Sequence, residues 1–422
     1  MRAGLPWLVA AVILLAAPVA RSAGTWPNDP AWGGEWGPVL TNTPQVWAKG
    51  TGSPSVVIAV VDTGVAPVPD LQGALVPGID LVGGGVSQGG PDELGYHGTW
   101  VASIIAARGN NGRDAAGYCW QCSIMPVRVS DGESPANDGV VAQGIRWAVD
   151  HGARIVNVSL AGSGSNFDEQ SAIAYAVAHN VLVVAAAGNS GDDTVHYPGG
   201  YPSVLAVAGT DQNDQLYPWS SRGSWVALAA PGCATVVDPN VGAAYGCGSS
   251  FAPAAVSGIA GLLLSFNPSL TADQIASALE SSAHAVSGIG GGRVDAAAAF
   301  AALALPDVTN APSPAQPEAA PAAAAAETPL EVTDLSGTVA GARAFPFSTG
   351  RGEVTVHFST ARTARCQVSL NLGSSVAVAL TEHGSATLGA VTRAGLKRLT
   401  VRCASTRRFA YQLEIEHPTA TG

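Results

Sequence analysis

Asp62 ends the apolar run Ala59-Val60-Val61-Asp62-Thr63-Gly64-Val65, and a carboxylate in that position has three readings. It can turn the chain at a strand end, since Asp-Thr-Gly is ordinary turn chemistry. It can be half of an aspartic dyad, which needs a second carboxylate to share one proton. No second Asp-Thr-Gly or Asp-Ser-Gly occurs in the chain. Or it can orient a histidine that activates a hydroxyl. His97 in "YHGTWVASIIAA" and Ser250 in "GCGSSFAPAAVSG" supply those partners. Each opens a helix-like run, and a hydroxyl there lies near the positive end of a helix. Taken singly, His-Gly-Thr reads as a helix start and Ser-Ser as an N-cap. Together they give the order Asp, His, Ser. The other order, with Asp273 and His284 after Ser250, needs a glycine where Ala252 stands.

The elements that must hold these residues follow from periodicity. Val56 to Val61, Ile124 to Val129, Arg154 to Val158 and Val181 to Ala186 are Val- and Ile-rich runs of the kind found in buried parallel strands. Between them, Val141, Ile145 and Ala148 repeat at helical spacing, as do Phe251, Ala255, Ile259 and Leu262. The order is βαβ, which predicts an α/β fold with a mostly parallel sheet and helices on both faces. Active sites of such sheets lie beyond the carboxyl ends of the strands, where Asp62 stands.

The chain has 422 residues, 47% hydrophobic and 12% charged, enough for a large core and more than one domain. Arg2, the apolar stretch Leu8 to Ala17 and the small residues near Ala23 read as a secretory signal peptide over residues 1–23. Export favours disulfides, and proximity pairs Cys119 with Cys122, Cys233 with Cys247 and Cys366 with Cys403, although six cysteines allow fifteen pairings. A zinc site is the rival reading, weakly supported by one Cys-x-x-Cys. The main domain spans residues 24–305, an Ala/Pro-rich linker residues 306–329, and a small all-β domain residues 330–422. That last segment carries ten basic against six acidic residues, whereas residues 1–329 carry ten against twenty-five. The acidic body and the absence of a basic, aromatic-interleaved patch exclude nucleic acid as a partner. The basic segment is expected to contact an anionic cell envelope.

Residues Val57 to Val65, His97 to Ala107, Ser159 to Gly162, Ala185 to Asn189, Tyr197 to Val207 and Gly248 to Gly258 together resemble the subtilisin-like serine proteases. "NDPAWGGEWG" and "TDQND" look most similar to their thermitase-like branch. The resemblance runs from about Trp26 to Leu305 and implies a seven-stranded, subtilisin-like sheet in a secreted, monomeric endopeptidase acting on proteins or peptides. It assigns Asn189 to the oxyanion site beside the Ser250 N–H. Ser159, Leu160, Ala161 and Gly162 become the edge that pairs with substrate. Ala185, Ala186, Ala187 and Gly188 become the far wall of a specificity pocket, roomy and apolar because these side chains are small. It also implies structural calcium held by Asp29, Asp70 and Asn111, with backbone oxygens near Arg108, Arg113 and Ala115. Three departures stand out. Gly248-Ser249-Ser250-Phe251-Ala252 replaces the usual Gly-Thr-Ser-Met-Ala with Pro253 one residue early, which admits Ser249 as the nucleophile while Val256-Ser257-Gly258 keeps the register on Ser250; Trp100 replaces a common second histidine; and the span between the signal peptide and Thr51 is too short for the family's usual folding prodomain.

Overall fold

The four Val/Ile runs form strands within one residue of their expected bounds. The computed structural model describes residues 26–82, 85–87, 96–132 and 136–306, with eight strands between residues 330 and 418. The signal segment 1–23 and residues 307–329 of the linker lie outside the described residues. In chain order the body comprises α1 (Trp36–Leu40), α2 (Thr43–Trp47), β1 (Val57–Asp62), β2 (Gly78–Asp80), β3 (Gly85–Ser87), α3 (His97–Ala106) and β4 (Ser123–Arg128). There follow α4 (Asp138–Asp150), β5 (Ile155–Val158), α5 (Phe167–Ala178), β6 (Leu182–Ala186), β7 (Val204–Thr210) and β8 (Leu228–Pro231). The hairpin β9 (Cys233–Asp238) and β10 (Gly242–Cys247) leads into α6 (Phe251–Phe266), α7 (Ala272–Ser281), β11 (His284–Ala285), β12 (Gly292–Arg293) and α8 (Ala296–Ala302).

One ten-stranded sheet runs β11-β12-β8-β7-β6-β5-β1-β4-β2-β3. The stretch from β8 to β2 is the expected parallel set of seven, and the short strands β12, β11 and β3 extend its edges. Central position explains composition: β1 lies between β5 and β4, and Ile58 to Asp62 are all buried. Ile58 and Val60 join the core cluster of α3 and α6, whereas Ala59 and Val61 join that of α4 and α5. Alternate side chains of one strand therefore serve opposite layers. Each large side chain so buried, such as Ile145 or Ile259, contributes about 1.5–3 kcal/mol.

The helix α6 departs from its amphipathic reading. Every residue from Phe251 to Leu264 is buried, so it is a central helix packed all round rather than a half-exposed one. Pro253 is accommodated in its first turn, where an N–H has no partner within the helix. Cys119 pairs with Cys122 and Cys233 with Cys247, two of the three disulfides that proximity indicates.

Beyond the linker lie β13 (Leu330–Val339), β14 (Ala342–Thr349), β15 (Gly352–Thr360), β16 (Cys366–Asn371), β17 (Val376–Leu380), β18 (Ser385–Thr392), β19 (Gly395–Cys403) and β20 (Phe409–Pro418). They form a sheet β13-β20-β15-β18 and a second, β14-β19-β16-β17, whose last strand pairs in parallel with β10. Val356 from the first sheet and Val368, Leu399 and Val401 from the second are buried. Register sets Cys366 directly opposite Cys403.

Candidate active site

Asp62 is the last residue of β1 and fully buried. Its Oδ1 accepts hydrogen bonds from the Thr63 N–H at 2.7 Å and the Thr63 hydroxyl at 3.2 Å, and lies 2.8 Å from His97 Nδ1. Its Oδ2 is buried without a partner among the described residues. An acceptor-only carboxylate on Nδ1 makes that nitrogen the N–H and leaves Nε2 as the basic atom of a neutral ring.

His97 is the first residue of α3, and the approach of that helix to β1 is unusually close. A Cβ on Gly98 would lie 2.0 Å from the Gly64 carbonyl oxygen, so only glycine fits between them. The Gly98 N–H donates to Thr63 Oγ1 at 3.0 Å, and the Ala66 N–H donates to Thr99 Oγ1 at 2.8 Å. These bonds tie the helix start to the loop after β1, which holds the imidazole against Asp62. Behind it, His97 stacks on Phe251 with ring centroids 6.3 Å apart. Trp100 is buried, packs near the same Phe251 and donates from Nε1 to Asp238 Oδ2 at 3.1 Å. Its replacement of a histidine is thus absorbed in packing.

Ser250 precedes α6 and Ser249 lies one residue earlier, and their environments differ. The Ser250 hydroxyl donates to the Ser159 carbonyl at 3.2 Å, on the edge beyond β5. Ser249 Oγ is buried with no partner among the described residues, and the Ser249 N–H donates to Asn189 Oδ1 at 2.9 Å. That bond orients the Asn189 amide, with Oδ1 turned to the backbone and the NH₂ group on its other side. Sequence reasoning missed the support below Ser250. Asn157, fully buried in β5, donates to Ser159 Oγ at 2.9 Å and accepts from Ser257 Oγ at 3.0 Å, while Ser159 Oγ donates to the Ser250 carbonyl at 2.7 Å. A polar Asn inside a Val/Ile run was the available signal.

Leu160, Ala161 and Gly162 leave β5 toward the surface, and Gly162 makes two backbone hydrogen bonds with Tyr197. Ala185, Ala186, Ala187 and Gly188 end β6 and follow it, all buried. The adjacent parallel strands β5 and β6 thus bring both segments to one carboxyl-terminal edge of the sheet. Asp273 and His284 do not join it: Asp273 lies in the first turn of α7, and His284 pairs with Asp295 at 2.8 Å.

Asp29, Asp70 and Asn111 do come together. Asp29 accepts from the N–H groups of Asn110, Asn111 and Gly112, and Asn111 Nδ2 donates to Asp70 Oδ1 at 2.7 Å. Burial pushes the Asp29 carboxyl up against these hydrogen bonds, and pushes Asp70 up to about 6. The fully buried Glu35 nearby is pushed up to about 8, also by burial. Among the described residues no group of three or more His, Cys, Asp or Glu forms a metal cluster.

Comparison with known proteins identifies the relatives of this chain. The profile of the subtilase family, Peptidase_S8, matches residues 53–318. Thermitase of Thermoactinomyces vulgaris is 40% identical over 269 residues, covering 63% of this chain and 94% of its own length. The thermophilic serine proteinase of Bacillus sp. (strain AK1) is 37% identical over 64% of this chain and 67% of its own. Among solved structures, a protease from Pseudoalteromonas arctica PAMC 21717 superposes with a TM-score of 0.60 at 32% identity, over 66% of this chain and 99% of its own. With the family profile spanning well over half its length and proteases on every side of the comparison, this chain belongs to the subtilase family and is a subtilisin-like serine endopeptidase.

Proposed function

We propose that Ser250, His97 and Asp62 act as nucleophile, general base and orienting carboxylate in peptide-bond hydrolysis through an acyl-enzyme. The observation that carries this reading is the 2.8 Å contact between His97 Nδ1 and a buried Asp62 Oδ1, made where a loop and a helix are locked together. His97 Nε2 takes the Ser250 hydroxyl proton as Oγ bonds to the scissile carbonyl carbon. The buried Asp62 charge stabilises the resulting imidazolium. The oxyanion is received by the Asn189 amide and the Ser250 N–H at the start of α6. His97 then returns the proton to the leaving amine as the C–N bond breaks, and water repeats the sequence on the ester. In the resting state Ser250 Oγ donates to the Ser159 carbonyl, and catalytic hydrogen bonds often tighten only with substrate.

The substrate chain of a protein or peptide runs along the sheet edge between Ser159–Gly162 and Ala185–Gly188. Asp29 and Asp70 offer two carboxylates, and Asn111, whose Nδ2 now donates to Asp70 while its Oδ1 accepts from the Arg113 N–H, would have to turn its amide over to complete the hard all-oxygen set that fits calcium. A cation there would also relieve the burial that raises both carboxyls. Its contribution is to the stability of the loop before β4. The leader at residues 1–23 directs export.

The test is labelling by a fluorophosphonate, which reacts only with an activated serine. Ser250→Ala is expected to abolish both labelling and casein hydrolysis, and Ser249→Ala to keep labelling. An adduct mapped to Ser249 would shift the nucleophile by one residue.

A further inference from the structure

Packing accounts for the bulk of Trp100 and leaves its one polar group to be explained. Trp100 stands one turn after His97 in α3, and its indole N–H, buried with the ring, is given to Asp238 Oδ2 at 3.1 Å rather than to the helix's own backbone. Asp238 closes β9, is itself buried, and turns its other oxygen to the Asn240 N–H at 2.8 Å. A second link runs beside the first. Ser103 Oγ accepts the Val237 N–H at 2.9 Å while donating to the Trp100 carbonyl at 2.7 Å. The helix that opens with His97 is thus pinned twice to the hairpin β9–β10. Such bonds are directional, and breaking one inside the protein leaves a buried polar group unpaired.

That hairpin delivers the nucleophile. Its strands pair from Asp238 opposite Gly242 to Cys233 opposite Cys247, where a disulfide joins them, and Ser250 comes three residues after Cys247. Phe251, the first residue of α6, meets both His97 and Trp100, with ring centroids 6.3 and 6.5 Å away. Turning the indole would therefore press on the ring that follows Ser250 and that lies against the imidazole.

We propose that Trp100 and Asp238 are positioning residues for this peptidase, their buried bond setting how α3 meets the hairpin and so how closely His97 approaches Ser250. They act through Phe251 and through the two elements they tie together, not on substrate. Bulk alone does not do this. A ring without the N–H is free of the tether and leaves the Asp238 carboxylate buried beside an apolar face. The inference rests on the reading of His97 and Ser250 as base and nucleophile.

The test compares full-length variants by cleavage of a tetrapeptide p-nitroanilide, by the rate of fluorophosphonate labelling and by melting. Trp100→Phe keeps an aromatic ring against Phe251 and removes the donor. It is expected to lower kcat and the labelling rate together by about tenfold or more, toward the roughly 10²-fold that a displacement of about 1 Å costs, with KM changed by less than about twofold. Trp100→Phe combined with Asp238→Asn also removes the unpaired buried charge, so it should melt above the single variant and still turn over slowly. Ile145→Val, in the core layer on the other face of the sheet, should lower the melting temperature and leave kcat unchanged. An unchanged kcat in Trp100→Phe overturns the inference, as does a loss confined to KM. Recovery of kcat in the double variant overturns it too, by reducing the pair to a stability role. Should Trp100→Phe fail to fold, the double variant is read in its place, and failure of both to fold assigns the pair to the fold alone. An unmodified enzyme that neither labels nor cleaves overturns the peptidase reading and this one with it, whereas an active enzyme with unaffected variants overturns this one only.

Discussion

At the scale of single residues, the site depends on which atom of each polar group is already committed. Asn189 shows this best: its Oδ1 is engaged by the Ser249 N–H, so the donor face of the amide is set before substrate arrives. A donor fixed in advance costs no reorganisation when negative charge develops. Asn189→Leu is therefore expected to lower kcat by about 10²–10³, the magnitude established for the equivalent change in subtilisin itself, with KM little altered. An undiminished kcat would remove Asn189 from the oxyanion site. Asn157 illustrates a residue acting through others: it reaches Ser159 and Ser257, and Ser159 holds the Ser250 carbonyl. A buried network of this kind rigidifies only when each member is satisfied.

At the scale of elements, the proposed catalysis would depend on the distance between β1 and α3. Gly98 is the point of contact, and no larger residue fits against the Gly64 carbonyl. Gly98→Ala should push the start of α3, and His97 with it, away from Asp62. A displacement near 1 Å costs about 10²-fold in rate, so labelling and peptide cleavage should fall together by about that factor. Labelling at the unmodified rate would show that the helix start can shift without moving the imidazole. The loop between α3 and β4 is the other sensitive element, because Asp29, Asp70 and Asn111 meet on it from three parts of the chain. Calcium bound only by the folded protein would stabilise it by about 2.7 kcal/mol at a hundred times its Kd. Melting temperature should accordingly rise in calcium relative to chelator, and Asp70→Ala should erase the difference. Equal melting of the unmodified protein in both conditions would discard the site.

At the scale of the whole molecule, Asp62, His97, Asn189 and Ser250 all precede the linker. The sheet that positions them is complete by β12. A chain ending at Leu305 is therefore expected to hydrolyse casein at a rate within about twofold of the full chain, since no group placed at the reacting atoms is removed. Circular dichroism would confirm that the shortened protein is folded, and loss of cleavage by such a protein would show that residues 330–422 support the site. Their place in that support would be the parallel pairing of β17 with β10, the hairpin strand that leads into Ser250.

The sequence by itself determined the chemistry available and the local elements: Val/Ile runs long enough only for buried strands, glycines where backbones meet, and a carboxylate, an imidazole and a hydroxyl in a recognisable order. These are local properties, set by side-chain periodicity and residue type. Which residues touch was decided by tertiary structure. Asp62 and His97 are 35 positions apart, Asn189 and Ser249 60, and Asn157 and Ser257 100. The strand order β6-β5-β1-β4, which no periodicity encodes, brings them together. The same holds for α6, whose apolar spacing is the same for a half-exposed helix and one packed on every side.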